Sequence, residues 1–223
     1  MDNLIRYAPL LASGALVTIA LALLSLALAT ALGALGAAAK LGGGMFAGAA
    51  AFTYTTIVRG IPDLVLILLV YFGGQRLLNL ALNAFGAGPA SISAFWAGVL
   101  AIGFIYGAYL TETFRGAYMT IPPGQAEAAR ALGMRGPALH WTVTLPQLLR
   151  FALPGYANVW QVLVKSTAVV SVIGLEDLVG LANDAGKTVR EPFVFFSAVL
   201  VVYLAITWVS TTIFERLEAR HAR

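Results

Sequence analysis

The sequence contains no cysteine and few charged residues. Without cysteine there can be no disulfide framework, thiolate metal site or cysteine nucleophile. Asp, Glu, Lys and Arg make up 11% of the 223 residues, and apolar residues make up 60%, whereas a soluble domain carries about 25% charged residues. This balance excludes a disordered chain, a primary role in nucleic-acid binding and an ordinary water-soluble enzyme. We therefore predict that the chain lies in a lipid bilayer.

Patterns for catalysis and cofactor binding are also missing. No GxxxxGK[ST] phosphate-binding loop occurs, so the chain is not expected to bind ATP itself. The only histidines, His140 and His221, lie too far apart in the sequence to suggest a metal site. No nucleophile–base arrangement is evident. We predict no catalytic residue, metal or cofactor in this chain.

Five apolar segments are long enough to cross a membrane, which requires about 20 residues. They are residues 9–35, a span centred on 64–72, 94–114, 151–173 and 192–214. Residues 45–57 are shorter and suggest an interfacial elbow after a turn at 40–44, while 79–93 and 176–191 are predicted to be loops. The fold class is therefore all-α integral membrane, with one domain over residues 1–223.

The distribution of Lys and Arg predicts the orientation of the spans. One side of the predicted bundle holds nine of these residues and the other holds four, with Lys165 inside a span. Because positive charge accumulates on the cytoplasmic side, we expect the N-terminus outside and the C-terminus in the cytoplasm.

The longest polar segment, residues 115–150, is placed on the cytoplasmic side by this topology. Residues 125–132 predict a short helix with Glu127 in its first turn, and Gly133 predicts a left-handed C-terminal cap. A second short helix, residues 137–145, is expected to end at Pro146. Together these helices suggest a docking surface for a partner, in a coupling loop at about 116–150.

The spacing within this loop resembles the EAA motif of the membrane subunits of ABC importers. Glu127-Ala128-Ala129 is followed after three residues by Gly133, and after nine more by Val143, with Leu145-Pro146 one residue further on. Val143 is the only departure, since isoleucine is usual there. Residues 59–64, 103–109, 111–116 and 165–171 are similar to the polar amino-acid uptake branch, and 174–177 and 185–187 to its permeases for histidine, lysine, arginine and ornithine.

This resemblance implies the type I importer fold and a function in the bacterial inner membrane. The chain would import basic amino acids as a permease subunit, with a second homologous permease, two ATPase subunits that bind ATP and Mg²⁺, and a periplasmic substrate-binding protein as partners. Glu127, Ala128, Ala129, Arg130 and Gly133 would form the surface that contacts the ATPase.

Three ionisable residues within the predicted spans are candidates for the substrate passage, because such groups are costly in a bilayer. Asp63 follows Arg59 by four residues, so it could form a local ion pair or bind a substrate cation. Glu112 is three residues from Arg115, which favours a structural pair. Lys165 could bind a substrate carboxylate or an acid on a neighbouring helix.

Polar and aromatic neighbours extend this candidate passage. The polar candidates on the fourth span are Asn158, Gln161, Ser166 and Thr167, and the aromatic ones, which more often serve packing, are Tyr71, Phe72, Tyr106 and Tyr109.

Other functions remain open from the residues alone. The same architecture could carry another polar amino acid or an opine-like compound. An ATP-independent channel, a secondary transporter or a membrane scaffold would not need the coupling motif.

The predicted topology is testable with a reporter fused after Arg223. Because of the asymmetry of nine positive residues against four, we expect a cytoplasmic reporter to be active there and a periplasmic one to be inactive. A fusion within residues 176–191 should give the opposite pattern, and activity of the C-terminal fusion only in the periplasm would refute this topology.

Overall fold

The computed structural model describes residues 2–221, which form helices joined by short turns. Arg223, the reporter position, lies outside the described residues, and the side chains of Asp2 and His221 are not described. The α-helices are α1 (Asp2–Gly42), α2 (Met45–Gly60), α3 (Asp63–Leu68), α4 (Gly74–Ala84), α5 (Ala94–Thr120), α6 (Pro123–Ala131), α7 (Pro137–Leu139), α8 (Leu145–Ser166), α9 (Leu178–Val189) and α10 (Pro192–His221).

Five helical segments are long and apolar enough to span a bilayer, in agreement with the predicted number, although the first, third, fourth and fifth are longer than predicted. They are Asn3–Gly42, Asp63–Ala84, Ala94–Thr120, Pro137–Ile173 and Pro192–Arg220. The second contains a π-helical turn, Leu69–Gly73, and the fourth ends in a 3₁₀ helix, Thr167–Ile173. The predicted elbow after the first span is the helix α2, which is not one of the five.

The main contact of the bundle is between α1 and α5, and glycines make it close. A Cβ atom on Gly33 would lie 2.6 Å from Cβ of Leu110 and 3.1 Å from its backbone carbon. On α5, a Cβ atom on Gly103 would lie 2.6 Å from Leu28. Small residues are the usual means of close helix packing in membranes, because lipid provides no hydrophobic drive between helices.

Two predicted boundaries are wrong because the helices continue further. Residues 79–84, predicted to be a loop, belong to α4, which ends where Gly86 takes a left-handed φ of 71°. Pro146 does not end the helix predicted over residues 137–145. A π-helical turn, His140–Thr144, precedes it, and the wider turn accommodates a proline that lacks an amide hydrogen.

The segment 176–191, also predicted to be a loop, contains α9 instead. The buried Asp177 caps this helix: its Oδ1 accepts a hydrogen bond of 2.9 Å from the amide of Gly180, while Oδ2 is buried with no partner among residues 2–221. Burial raises the pKa of Asp177 to about 6, and hydrogen bonds from nearby backbone amides, including that of Gly180, partly offset this rise. The hydroxyl oxygen of Thr18 on α1 accepts a hydrogen bond of 3.2 Å from the backbone amide of Leu178, which fixes the start of α9 against α1.

A second apolar cluster holds α9 in place. Leu11 of α1 packs there with Leu178, Ala182 and Ala185 of α9, and Phe195 of α10 completes the cluster. The N-terminal part of α1 is therefore packed against α9 and α10.

Substitution of Gly33 by valine should destabilise the protein, because the new side chain would overlap the Cβ and backbone atoms of Leu110. Overpacking of this kind costs about 1–3 kcal/mol. The matched control is Gly116→Val on α5, where no atom lies within 4 Å of an added Cβ. We expect the melting temperature in detergent to fall clearly for Gly33→Val and little for the control; equal changes would contradict the packing argument.

Candidate substrate passage and coupling surface

Asp63 lies at a break in the helical backbone. Pro62 disfavours helical geometry at Ile61, which is extended (φ −112°, ψ 139°), so α2 ends at Gly60 and α3 begins at Asp63. A carboxylate in the first turn of a helix is favoured by the exposed amides there. Non-helical backbone at membrane depth occurs where it is buried in protein or lines a cavity.

Asp63 contacts hydroxyl groups of two other spans. Its Oδ2 accepts a hydrogen bond of 2.8 Å from the hydroxyl of Tyr106, and the hydroxyl of Ser166 lies 3.1 Å from the same oxygen. The predicted alternative, an ion pair with Arg59, does not form: the Arg59 guanidinium carbon lies over the ring of Tyr109, 5.3 Å from its centroid. Asp63 therefore has no cationic partner among the described side chains, residues 3–220.

The helix type changes at Ser166, where α8 passes into the 3₁₀ helix that ends at Ile173. The change of helix type brings the Ser166 hydroxyl to Asp63. Lys165, next to it, is exposed, and its ammonium group has no hydrogen bond or ion pair to any residue that the structure describes. A break before α3 and a change of helix type at the end of α8 thus lie close to the same carboxyl group.

The remaining polar candidates of the fourth span do not join Asp63. Asn158 is exposed. Gln161 donates to Thr211 of α10 at 3.0 Å. Thr167 is buried, donates to the carbonyl of Val164 at 2.6 Å and lies 3.1 Å from the hydroxyl of Tyr203. Gln161 of α8 and Thr167 of the 3₁₀ helix therefore connect the fourth span to α10, which their sequence spacing did not reveal.

Glu112 belongs to a separate ionic cluster. Arg115 donates to its Oε2 at 3.0 Å, as predicted from the spacing of three residues, and Lys40 of α1 forms an ion pair with Oε1. Lys40 also donates to Thr55 of α2 at 2.6 Å. In the sequence, Lys40 is one of the nine positive residues from which the orientation was predicted. Its contacts with both Glu112 and Thr55, which join α1, α2 and α5, were not predicted.

The predicted coupling helix is present as α6. Gly133 has a left-handed φ of 84° and donates to the carbonyl of Arg130 at 2.9 Å, and Met134 donates to Ala129 at 3.0 Å. This pair of bonds is a Schellman cap, which confirms the predicted left-handed C-terminal cap at Gly133. Because α6 begins at Pro123, Glu127 lies beyond the first turn, contrary to prediction.

The five residues predicted to contact the ATPase fall into two groups by the exposure of their side chains. Ala129 is buried, whereas Glu127, Ala128, Arg130 and Gly133 are exposed. Two large apolar residues nearby, Leu132 and Trp141, are also exposed, at 81% and 71%. Apolar side chains of this size add to an exposed surface that suits a protein partner.

Comparison with known proteins identifies the family. The profile of the family described as binding-protein-dependent transport system inner membrane component matches residues 29–223. The chain belongs to this family. It is therefore a multi-pass transport component of the bacterial inner membrane.

Individual relatives cover nearly the whole chain. It is 46% identical over 209 residues to the histidine/lysine/arginine/ornithine transport system permease protein HisQ of Escherichia coli strain K12, covering 94% of this chain and 92% of the relative. It is 42% identical over 207 residues to the octopine transport system permease protein OccQ of Rhizobium radiobacter, covering 92% and 87%.

Solved structures agree with the fold. A crystal structure of an amino acid ABC transporter with histidines matches with a TM-score of 0.80 and 32% identity, covering 97% of this chain and 96% of the other. An inward-facing methionine ABC transporter matches with a TM-score of 0.76 at 20% identity, covering 98% and 99%, and supports the fold alone.

The ionic cluster generates a stability prediction. Glu112→Gln should leave Lys40, whose side chain is only 10% exposed, without its charged partner, at a cost of about 1–3 kcal/mol. Glu127→Gln is the control, because Glu127 is exposed. We expect a lower melting temperature in detergent for Glu112→Gln alone, with partial recovery when Lys40→Met is added. Equal melting temperatures would show that the pair contributes nothing.

Proposed function

We propose that this chain is the transmembrane permease subunit of an ATP-driven importer that carries lysine, arginine, histidine and ornithine into the cytoplasm. The observation that carries the proposal is the carboxyl group of Asp63, which lies at a backbone break, is held by hydroxyl groups and has no cationic partner among the described side chains. Such a group can bind an ammonium or guanidinium. The 46% identity to a permease named for these four amino acids supports the same substrates.

The partners follow from the family. A binding-protein-dependent system delivers its substrate from a binding protein, here a periplasmic one, to the membrane component. We propose a heterodimer with a second homologous permease and two ATPase subunits, which bind ATP and Mg²⁺ and carry out hydrolysis. The exposed Glu127, Ala128 and Arg130 on α6 would contact the ATPase, with the buried Ala129 supporting the helix.

An opine-like substrate is the second candidate, because relatives named for octopine and nopaline transport are 42% and 41% identical. The test that decides between them measures the ATPase activity of the reconstituted complex. The complex is stimulated by the binding protein loaded in turn with lysine, arginine, ornithine, histidine, glutamine or octopine. A complex stimulated by glutamine or octopine but not by basic amino acids would contradict the first candidate.

The proposed coupling depends on the cap at Gly133. Valine there would have to adopt a left-handed φ, which costs about 1–2 kcal/mol, and the turn after α6 should change. We expect Gly133→Val to reach the membrane in normal amounts but to lose most ATP-driven uptake. Gly133→Asn is the control, because asparagine tolerates this conformation. Normal uptake by the valine variant would argue against ATPase contact at this turn.

The proposed cation site is tested by Asp63→Asn, which keeps the shape of the side chain and removes its charge. Loss of the charged partner of a desolvated cation costs about 2–5 kcal/mol, so stimulation of ATPase activity by lysine or arginine should fall strongly. Stimulation by histidine at pH 8, where its imidazole is neutral, should fall much less. An equal fall for all three would favour a structural role, and no change would place the cation site elsewhere.

A further inference from the structure

Three side-chain oxygen atoms from three different spans meet at Asp63. Its Oδ2 lies 2.8 Å from the hydroxyl of Tyr106 on α5 and 3.1 Å from that of Ser166 at the end of α8. The two hydroxyl oxygens are themselves 2.5 Å apart. The triangle joins residues that are 43, 60 and 103 positions apart in the sequence.

Counting hydrogens limits the arrangement of these bonds. Each hydroxyl group carries one hydrogen and a carboxylate carries none, so the three contacts share two hydrogens. Tyr106 donates to Oδ2 of Asp63, and the single hydrogen of Ser166 serves either the same Oδ2 or the hydroxyl oxygen of Tyr106. In both arrangements Tyr106 contacts both of the other residues.

Tyr106 is also the most fixed of the three residues. Its side chain is 2% exposed and stacks on Tyr109, with ring centroids 5.5 Å apart. The helix that carries it is held closely by glycine contacts, including Gly107 against Leu32. Asp63, by contrast, is only half-buried, and its Oδ1 has no hydrogen bond to any residue in 2–221. One carboxyl oxygen is thus held by the protein and the other is left open.

We propose that Tyr106, supported by Ser166, is a positioning residue that holds Asp63 through Oδ2 and leaves Oδ1 to accept the ammonium or guanidinium of the substrate. Tyr106 acts through Asp63 and does not itself bind the cation. The inference rests on the proposed function of Asp63 as the cation site. It adds a specificity determinant that the sequence suggested only as an aromatic wall.

The test uses Tyr106→Phe in the complete complex with binding protein and ATPase, since phenylalanine keeps the ring and removes the hydroxyl. We expect the concentration of loaded binding protein that gives half-maximal ATPase stimulation to rise about tenfold with lysine, equivalent to about 1.4 kcal/mol. With neutral histidine at pH 8 it should change little. Tyr7→Phe is the matched control: the same change is made on α1, outside the candidate passage, at a hydroxyl with no hydrogen bond to a described residue.

The same comparison in an Asp63→Asn background separates positioning from packing. If Tyr106 acts through Asp63, Tyr106→Phe should cause no further loss of lysine preference there. A loss that persists in this background, or an equal loss for lysine and histidine, would overturn the positioning role. If Tyr106→Phe does not assemble, Ser166→Ala replaces it and should shift lysine preference in the same direction; an unchanged preference would overturn the proposal.

These outcomes remain distinct from failure of the cation site itself. A strong effect of Asp63→Asn beside an unchanged Tyr106→Phe removes only the positioning role. An Asp63→Asn variant that keeps its full preference for lysine removes both the cation site and the positioning role.

Discussion

The close packing of α1 against α5 is the contact on which the rest of the bundle depends. Gly33 on one helix and Gly103 on the other allow the two backbones to approach, and a Cβ atom at either position would overlap its neighbour. Once α5 is fixed in this way, its other faces present Tyr106 to Asp63 and Glu112 to Lys40. The candidate cation site and the ionic cluster are therefore both held by one rigid helix.

Composition and run length were enough to predict the five spans, because hydrocarbon imposes a minimum length of apolar helix whatever the partners are. The segment containing α9 was misread as a loop because its Glu, Asp and Lys residues obscured the apolar face. That face is visible in the spacing of Leu178, Ala182 and Ala185, which are four and three residues apart. Pro146 was misread because a π-helical turn cannot be recognised from residue types alone.

The candidate site was only partly accessible to sequence analysis. Local pairs such as Glu112 with Arg115 follow from helix geometry. Contacts between spans do not: Ser166 reaches Asp63 across 103 residues, and Lys40 reaches Glu112 across 72. Which of several polar residues on one helix faces which neighbour depends on the rotation of that helix. Spacing alone therefore could not distinguish Ser166, which joins Asp63, from Gln161, which joins α10.

The length of α1 has a mechanical consequence. With 41 residues in one helix, it extends about 60 Å, roughly twice the thickness of the hydrocarbon core. One end is anchored to α9 through Thr18 and Leu11, and the other end is anchored to α2 and α5 through Lys40. Leu11 and Lys40 are 29 residues apart, which is about 44 Å along the helix axis, so a tilt of about 5° about one of them would displace the other by about 4 Å. A single helix thus connects the contacts at α9 with those at α2 and α5.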